Sequence, residues 1–143
     1  MKKDIVLIVV ALVVSFLLHY WLLPVLGYSV ASVEGQSMEP TLRSGDLLLF
    51  RRDSNPEVGD IIVYEKSPGI LIVHRIVSEI GDEIVTKGDN NRAPDPVFEK
   101  EKIVGKVILV IPRFIHKIVY ILGIIGIVLI LIPERRKRGG ETR

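Results

Sequence analysis

The sequence predicts a mainly β fold, a small β-domain over residues 34–112 held between two transmembrane α-helices. Three observations carry this expectation. Apolar residues fill 17 of 19 positions in residues 5–23 and 13 of 15 in residues 118–132, although the whole chain is only 48% hydrophobic. Between these stretches, short runs of Val, Ile and Leu are punctuated by Gly, Pro, Asp and Asn, the pattern of strands and turns. Charge is divided as well: residues 34–112 hold 10 Lys and Arg against 14 Asp and Glu, and the remainder holds 9 against 3. A length of 143 residues makes one domain's worth of chain and excludes a multidomain enzyme. A formal charge of +2 is too small for a nucleic-acid binder. The chain has no cysteine, so disulfides, a thiol nucleophile and a thiolate metal site are all excluded.

Residues 1–4 form a short basic start, with Lys2 and Lys3. The first apolar stretch, residues 5–23, contains no Asp, Glu, Lys or Arg; its polar residues are Ser15 and His19. At 1.5 Å per residue it reaches roughly 28 Å, close to the thickness of a bilayer core. Tyr20 and Trp21 suit the membrane interface, and Pro24 with Gly27 would stop the helix. The competing reading is a cleavable signal peptide ending at the small residues Ser29-Val30-Ala31. Its apolar run is long for that, since such cores usually hold about 7–15 residues, and an anchor is the favoured reading.

The second stretch, residues 114–132, starts at Phe114 and includes His116 and Lys117 near one interface, where the lysine could snorkel. It is apolar all round, unlike an amphipathic core helix. The basic run Glu134-Arg135-Arg136-Lys137-Arg138 follows within the tail, residues 133–143. Basic residues stay on the cytoplasmic side, and both ends of the chain carry them. Two spans with both termini cytoplasmic put the central domain outside the cytoplasm.

Within that domain, strands are expected at 46–50, 60–65, 70–80, 83–87 and 103–111. Gly81-Asp82 marks a two-residue hairpin turn. Ser67-Pro68-Gly69 and Asn55-Pro56 mark two more turns, and residues 90–96 read as loop. The run 70–77 alternates Ile70, Ile72, His74, Ile76 with Leu71, Val73, Arg75, Val77. Both faces are largely apolar, so this strand is expected in the sheet's centre. An ionisable group buried on each face is costly unless it has a partner, which makes His74 and Arg75 worth explaining.

The segment Glu34-Gly35-Gln36-Ser37-Met38-Glu39-Pro40-Thr41-Leu42 follows the first span. Gly35 permits a tight backbone and Pro40 restrains the chain just after the serine. A serine hydroxyl becomes a useful nucleophile when a neighbouring base takes its proton, and imidazole, with an ordinary pKa of about 6.5, suits that task near neutral pH. A carboxylate can then hold the ring in the right tautomer. His74 is the domain's one histidine, and Asp89 and Asp95 are the carboxylates of a polar loop. Each residue also has a plain structural reading, as a turn serine, a satisfied core histidine and a Gly88-Asp89-Asn90 turn. Spacing alone does not choose between the two.

The boxes taken together do. Gly35-Gln36-Ser37-Met38-Glu39-Pro40-Thr41-Leu42 resembles the serine box of the type I signal peptidases. The resemblance continues, in the family's order, through Ser44-Gly45-Asp46-Leu47, Val58-Gly59-Asp60-Ile61-Ile62-Val63-Tyr64, Val73-His74-Arg75-Ile76 and Thr86-Lys87-Gly88-Asp89-Asn90-Asn91. The His-Arg pair, where bacterial members have a lysine, is similar to the archaeal and endoplasmic-reticulum branch, which uses a Ser-His-Asp system. The resemblance implies a small signal-peptidase-like β-domain with Ser37 as nucleophile, His74 as base and Asp95, six residues after the Asp of Lys-Gly-Asp, as the acid that orients it. Asp89, Gly35, Met38, Pro40, Arg75 and Gly88 are implied as residues supporting the site's geometry. Two departures stand out: Asp95 lies between Pro94 and Pro96 where family members often have paired aspartates, and Gly35 replaces the serine that serves bacterial relatives as an oxyanion donor.

The activity implied is that of a membrane-bound serine endopeptidase removing N-terminal signal peptides from secreted and membrane preproteins, with no metal or organic cofactor. Its partners would be preprotein signal peptides, the lipid bilayer and protein-export machinery, and its place a multi-pass position in the cell membrane. A rival of another class is a membrane-tethered β-domain without catalysis, either a binding module or an inactive subunit of a peptidase complex. A third reading is a related peptidase with a narrow, specialised substrate set.

Overall fold

A computed structural model of the chain describes residues 2–52 and 54–131. The basic run at 134–138 and the tail 133–143 lie outside the described residues. The chain begins with a helix in which α1 (Lys2–Leu17) passes through a wider π turn, Leu18–Leu22, into the short α2 (Leu23–Val25). Pro24 sits at the start of α2 and has no N–H to donate to the preceding turn, and a wider turn there is one way a helix accommodates that loss. Gly27, with φ +77°, ends the helix and turns the chain into the sheet. The most apolar 18 residues of the helical stretch Lys3–Val25 have a mean hydropathy of 2.6, and none of them is buried by the protein.

Among the described residues, seven strands form one antiparallel sheet in the order β1-β2-β7-β3-β4-β5-β6. They are β1 (Tyr28–Ser32), β2 (Leu47–Arg51), β3 (Ile61–Ser67), β4 (Ile70–Ile80), β5 (Glu83–Lys87), β6 (Phe98–Glu99) and β7 (Ile103–Ile111). β4 and β5 are joined through Gly81-Asp82, with Ile80 opposite Glu83, the two-residue hairpin that the sequence signals. β4 is flanked on both sides, by β3 and β5, as its two apolar faces require.

Two strands differ from expectation. β1 belongs to the sheet although it precedes residue 34, and it contains the Ser29-Val30-Ala31 run considered as a cleavage site. Its Val30 and Ala31 lie opposite Leu49 and Leu48, so pairing with an apolar neighbour, rather than a strong pattern of its own, makes it a strand. β6 is only two residues long and leaves almost no periodic signal.

The core lies on both faces of the β3–β4 pair. On one, Val33, Met38, Leu42 and Leu48 pack with Ile61, Val73, Val107 and Val110. On the other, Ile62, Tyr64, Ile76 and Ile84 pack with Ile72, Phe98 and Ile103. Because side chains alternate, His74 shares the second face with Ile72 and Ile76, while Arg75 points to the first.

After β7, Pro112 leads into α3 (Arg113–Leu131), at the second hydrophobic stretch of the sequence. Asp46, itself buried, accepts the backbone N–H of Arg43 with Oδ2 and that of Arg113 with Oδ1, both at 2.8 Å. One carboxylate therefore caps the start of α3 and closes the turn before β2, which is favourable at a helix N-terminus. Most apolar side chains of α3, from Phe114 to Leu129, are exposed.

Gly105 in β7 lies opposite Val63, and a Cβ there would come within 2.5 Å of the Arg51 carbonyl oxygen and 2.9 Å of the Phe50 ring. Gly105→Ala should therefore lose about 1–3 kcal/mol of stability, as overpacking of a filled site does. A thermal midpoint equal to that of the parent would contradict this account of the β2–β7 contact.

Candidate active site

Ser37 lies in the turn between β1 and β2, which carries the cis Glu39–Pro40 peptide bond. The turn is tied inward by Met38, which is 2% exposed and belongs to the first core cluster, and by the bond from Leu42 N–H to the Met38 carbonyl. Gly35, with φ +87°, reverses the chain just before it, in a region that side chains disfavour. Met38 is thus a packing anchor, and Pro40 is exposed on the outer side of the turn.

His74 projects from the middle of β4 and is 6% exposed. Its Nε2 lies 3.0 Å from Ser37 Oγ, and its Nδ1 lies 2.5 Å from Asp95 Oδ2. An ionised carboxylate can only accept, so the Nδ1 proton faces Asp95 and Nε2 is left with a lone pair toward the serine hydroxyl. That is the tautomer in which a ring can take a proton from Ser37.

Asp95 comes from the loop after β5. Its backbone N–H donates to the Thr86 carbonyl at 2.8 Å, which fixes the loop along β5. Its Oδ2 also accepts the Thr86 hydroxyl at 2.7 Å and, at 3.4 Å, the Tyr64 hydroxyl. Burial pushes the Tyr64 phenol above its ordinary pKa, against an opposing hydrogen bond with Thr86 and with help from the negative charge of Asp95, so Tyr64 keeps its proton and donates it. Its ring stacks on Phe98 at a centroid distance of 4.4 Å.

The second carboxylate serves the neighbouring residue. Arg75 Nε and Nη2 donate to Asp89 Oδ1 and Oδ2 at 2.9 and 2.7 Å, a two-pronged pair, and Nη1 donates to the Gly59 carbonyl at 2.8 Å. Thr41 Oγ1 donates to Asp89 Oδ2 at 2.5 Å. The hydrogen bonds from Arg75 hold the Asp89 carboxyl below its ordinary range, against the opposing effect of burial and with help from Thr41. The adjacent residues His74 and Arg75 point to opposite faces of β4, and each has its own aspartate. Asp89 reaches Arg75 and Thr41, and Asp95 reaches the imidazole.

Gly88 lies between these groups. A Cβ on it would meet the Ser37 carbonyl oxygen at 2.5 Å, Asn91 Nδ2 at 2.8 Å and His74 Nε2 at 2.9 Å. The serine turn and the β5 loop are further joined by Asn90, whose backbone N–H donates to the Ser37 carbonyl at 2.8 Å and whose side chain donates to the Gln36 carbonyl at 3.1 Å. All nine expected site residues thus lie in or around one cluster. Thr86, Tyr64, Asn90 and Thr41 were not singled out by sequence reasoning. Thr86 and Tyr64 fall in the quoted boxes at strand positions on the His74 side, but only the pairing of Thr86 with Ile76 and of Tyr64 with Ile72 reveals this.

Beside Ser37 lies a cleft of about 190 Å³, lined by Ala31, Val33, Gly35, Met38, Leu48, Val63, Leu71, Ile72 and Val73 among others. Aliphatic side chains alternate in its walls with the polar Ser32, Glu34 and Ser37, and it lies between the end of β1 and the start of β4.

A family model described as peptidase S24-like matches residues 21–108. The signal peptidase complex catalytic subunit SEC11 of Verticillium alfalfae is 36% identical over 125 residues, covering 68% of this chain and 72% of that protein. The protein of the same name in Leptosphaeria maculans is 41% identical, covering 53% of each chain. That of Clavispora lusitaniae is 48% identical over 41% of this chain and 39% of its own length. The chain therefore matches about half or less of the length of the second and third relatives.

The depressed carboxyl of Asp89 makes a prediction about stability. A group whose folded pKa is lowered stabilises the fold above its unfolded pKa, and the contribution is lost as pH falls through the folded value. Asp89→Asn should lower stability near neutral pH by about 1 kcal/mol, discounted for partial exposure. The gap to the parent should close in acid below the ordinary carboxylate range of about 4. Thermal unfolding of both proteins across that range tests it, and a gap that stays constant with pH would count against the Asp89–Arg75 pair as its source.

Proposed function

The chain belongs to the peptidase S24-like family, with catalytic subunits of signal peptidase complexes among its relatives, and from that premise we propose that it is a membrane-bound serine endopeptidase that cleaves N-terminal signal peptides from secreted and membrane preproteins. The observation that carries the reading is the continuous line from Ser37 Oγ through the two His74 nitrogens to Asp95, at 3.0 and 2.5 Å. No proton on that line needs to move further than one hydrogen bond.

In this reading Ser37 attacks the scissile carbonyl while His74 Nε2 takes its proton and passes it to the leaving amine. Asp95 steadies the imidazolium that forms. Water then attacks the acyl-enzyme, with His74 again as base, and releases the acyl group and Ser37. The oxyanion rests on backbone N–H groups, that of Ser37 included, because Gly35 offers no hydroxyl. Asp89 and Arg75 hold the serine turn and the β5 loop in register, and Gly88 leaves room for Ser37 and His74 to meet.

The substrate lies extended along the cleft beside Ser37. Its small volume of about 190 Å³ and the aliphatic residues among its walls support a preference for small side chains close before the cut, since larger ones would clash. The N-terminal helix anchors the enzyme in the bilayer, and α3, with residues 114–132, makes a second span. Both termini are then cytoplasmic, with the basic residues 1–4 and 133–143, and the β-domain lies outside the cytoplasm. Anchoring at the face where signal peptides emerge raises the effective concentration of enzyme and substrate. Partners are therefore the signal peptides of preproteins, the lipid bilayer and the machinery that delivers exported chains.

Ser37→Ala should abolish cleavage of a preprotein in detergent or vesicles while the protein stays folded; cleavage that persists would remove the nucleophile. Asp95→Asn should lower kcat by about a thousandfold or more, the scale seen when a triad acid is neutralised. Asp89→Asn should cost less, and the reverse order would exchange the two aspartates. A histidine base must be unprotonated to act, so kcat/KM should decline toward acid pH, and a flat profile from about pH 5 to about pH 9 would oppose that role for His74.

A further inference from the structure

Asp95 is held in an unusual way for a loop carboxylate. Pro94 and Pro96 flank it, and prolines carry no N–H, so its immediate neighbours cannot supply backbone donors to its side chain. The donors come from the sheet instead, and all three converge on one oxygen: the His74 ring at 2.5 Å, the Thr86 hydroxyl at 2.7 Å and, at 3.4 Å, the Tyr64 hydroxyl. Thr86 is fully buried, and a buried hydroxyl requires a partner. It also binds the same residue twice, because its carbonyl accepts the Asp95 backbone N–H at 2.8 Å. Asp95 is thus fixed in position through its main chain and in rotation through its side chain, both by a residue that lies opposite Ile76 on the His74 face of the sheet.

We propose that Thr86 is a positioning residue of the catalytic site, acting through Asp95: its hydroxyl orients the carboxylate toward His74 Nδ1 and shares the negative charge there. This rests on the reading of Ser37, His74 and Asp95 as the reacting system. Without that hydroxyl the carboxylate is free to rotate about its side-chain bonds, and the ring loses its alignment. The carboxylate charge is also less spread, so it binds the imidazolium proton more tightly. Both effects act on the chemical step. Thr86 lies outside the cleft beside Ser37, so substrate binding is left alone.

The test compares Thr86→Val with Thr86→Ser in the full-length protein, purified in detergent and assayed on a preprotein. Valine keeps the shape and the strand preference of threonine and removes the hydroxyl; serine keeps the hydroxyl and removes a methyl group. The expected result is a fall in kcat of about tenfold for Thr86→Val, the scale of one hydrogen bond to a charged group, with KM unchanged within about twofold. The acid limb of kcat/KM should move to higher pH, and Thr86→Ser should restore both kcat and the limb. Of the other titratable groups around the ring and its carboxylate, the Asp89–Arg75 pair has no bond to residue 86, while Tyr64 on β3, itself a hydrogen-bond partner of Thr86, keeps that partner only in Thr86→Ser. Should Thr86→Val prove poorly folded by thermal unfolding, the Nδ1 proton of His74 in Thr86→Ala, followed by proton NMR, reads the His74–Asp95 bond directly; it should shift relative to the parent.

Equal loss in the valine and serine variants would assign Thr86 to packing and overturn the inference, as would parental kcat and pH profile in Thr86→Val or an unmoved Nδ1 proton in Thr86→Ala. Full activity in Ser37→Ala would overturn the nucleophile itself, and with it this inference. That outcome is distinguishable because it does not depend on residue 86.

Discussion

A histidine whose side chain is only 8% exposed needs protein partners for both its ring nitrogens. His74 meets that need by drawing two separate loops onto the middle of β4. The serine turn after β1 supplies a hydroxyl to Nε2, and the loop after β5 supplies a carboxylate to Nδ1. Neither loop has regular structure of its own at the contact, so the strand is the fixed member and the loops are measured against it. β4 can serve this way because it is hydrogen-bonded on both edges, to β3 and to β5.

Bringing the loops to the ring would be of little use if they were free to part. The Asp89–Arg75 pair addresses this from the opposite face of the strand. Asp89 belongs to the β5 loop, it binds Arg75 with both oxygens, and it also takes the hydroxyl of Thr41 from the serine turn. Asn90 adds a direct bridge to the Ser37 carbonyl. Gly88 then lets the two segments close to a distance at which any side chain would collide with Ser37 and His74. A charged pair that is partly exposed contributes modestly to stability, but here its geometry matters more than its strength. The two aspartates of one loop thus have separate partners, one bonded to the His74 ring and the other joining the serine turn, through Thr41, to Arg75 on β4.

Support for the carboxylate continues outward into the sheet. Thr86 and Tyr64 approach Asp95 from β5 and β3, and Tyr64 is itself held by stacking on Phe98. Polar groups placed this deep are favourable only when each is satisfied. The second core cluster, built around Ile62, Ile76 and Ile84, therefore surrounds a small polar network rather than a uniform apolar filling. Asp46 joins the start of α3 to the turn before β2. The second apolar helix is thereby tied to the segment that also carries Ser37.

Much of this was legible in the order of residues alone. Five strands, the Gly81-Asp82 hairpin and the central position of β4 follow from periodicity and turn chemistry, which are local properties. The pairing of ionisable residues with apolar neighbours at His74 and Arg75 announced that both needed partners. The motif resemblance named Ser37, His74 and Asp95. What could not be read was that Asp89 binds Arg75 and Thr41, that β1 and the two-residue β6 belong to the sheet, or that Thr86 and Tyr64 stand beside Asp95. Those facts depend on strand register and on the path of a proline-flanked loop. A shift of one residue in pairing reverses the face on which every side chain lies, and sequence spacing within a strand carries no information about its neighbour. Local composition therefore decided the elements and the chemical groups available, while distances of about 3 Å between groups 21 and 37 residues apart were decided only when the sheet closed around them.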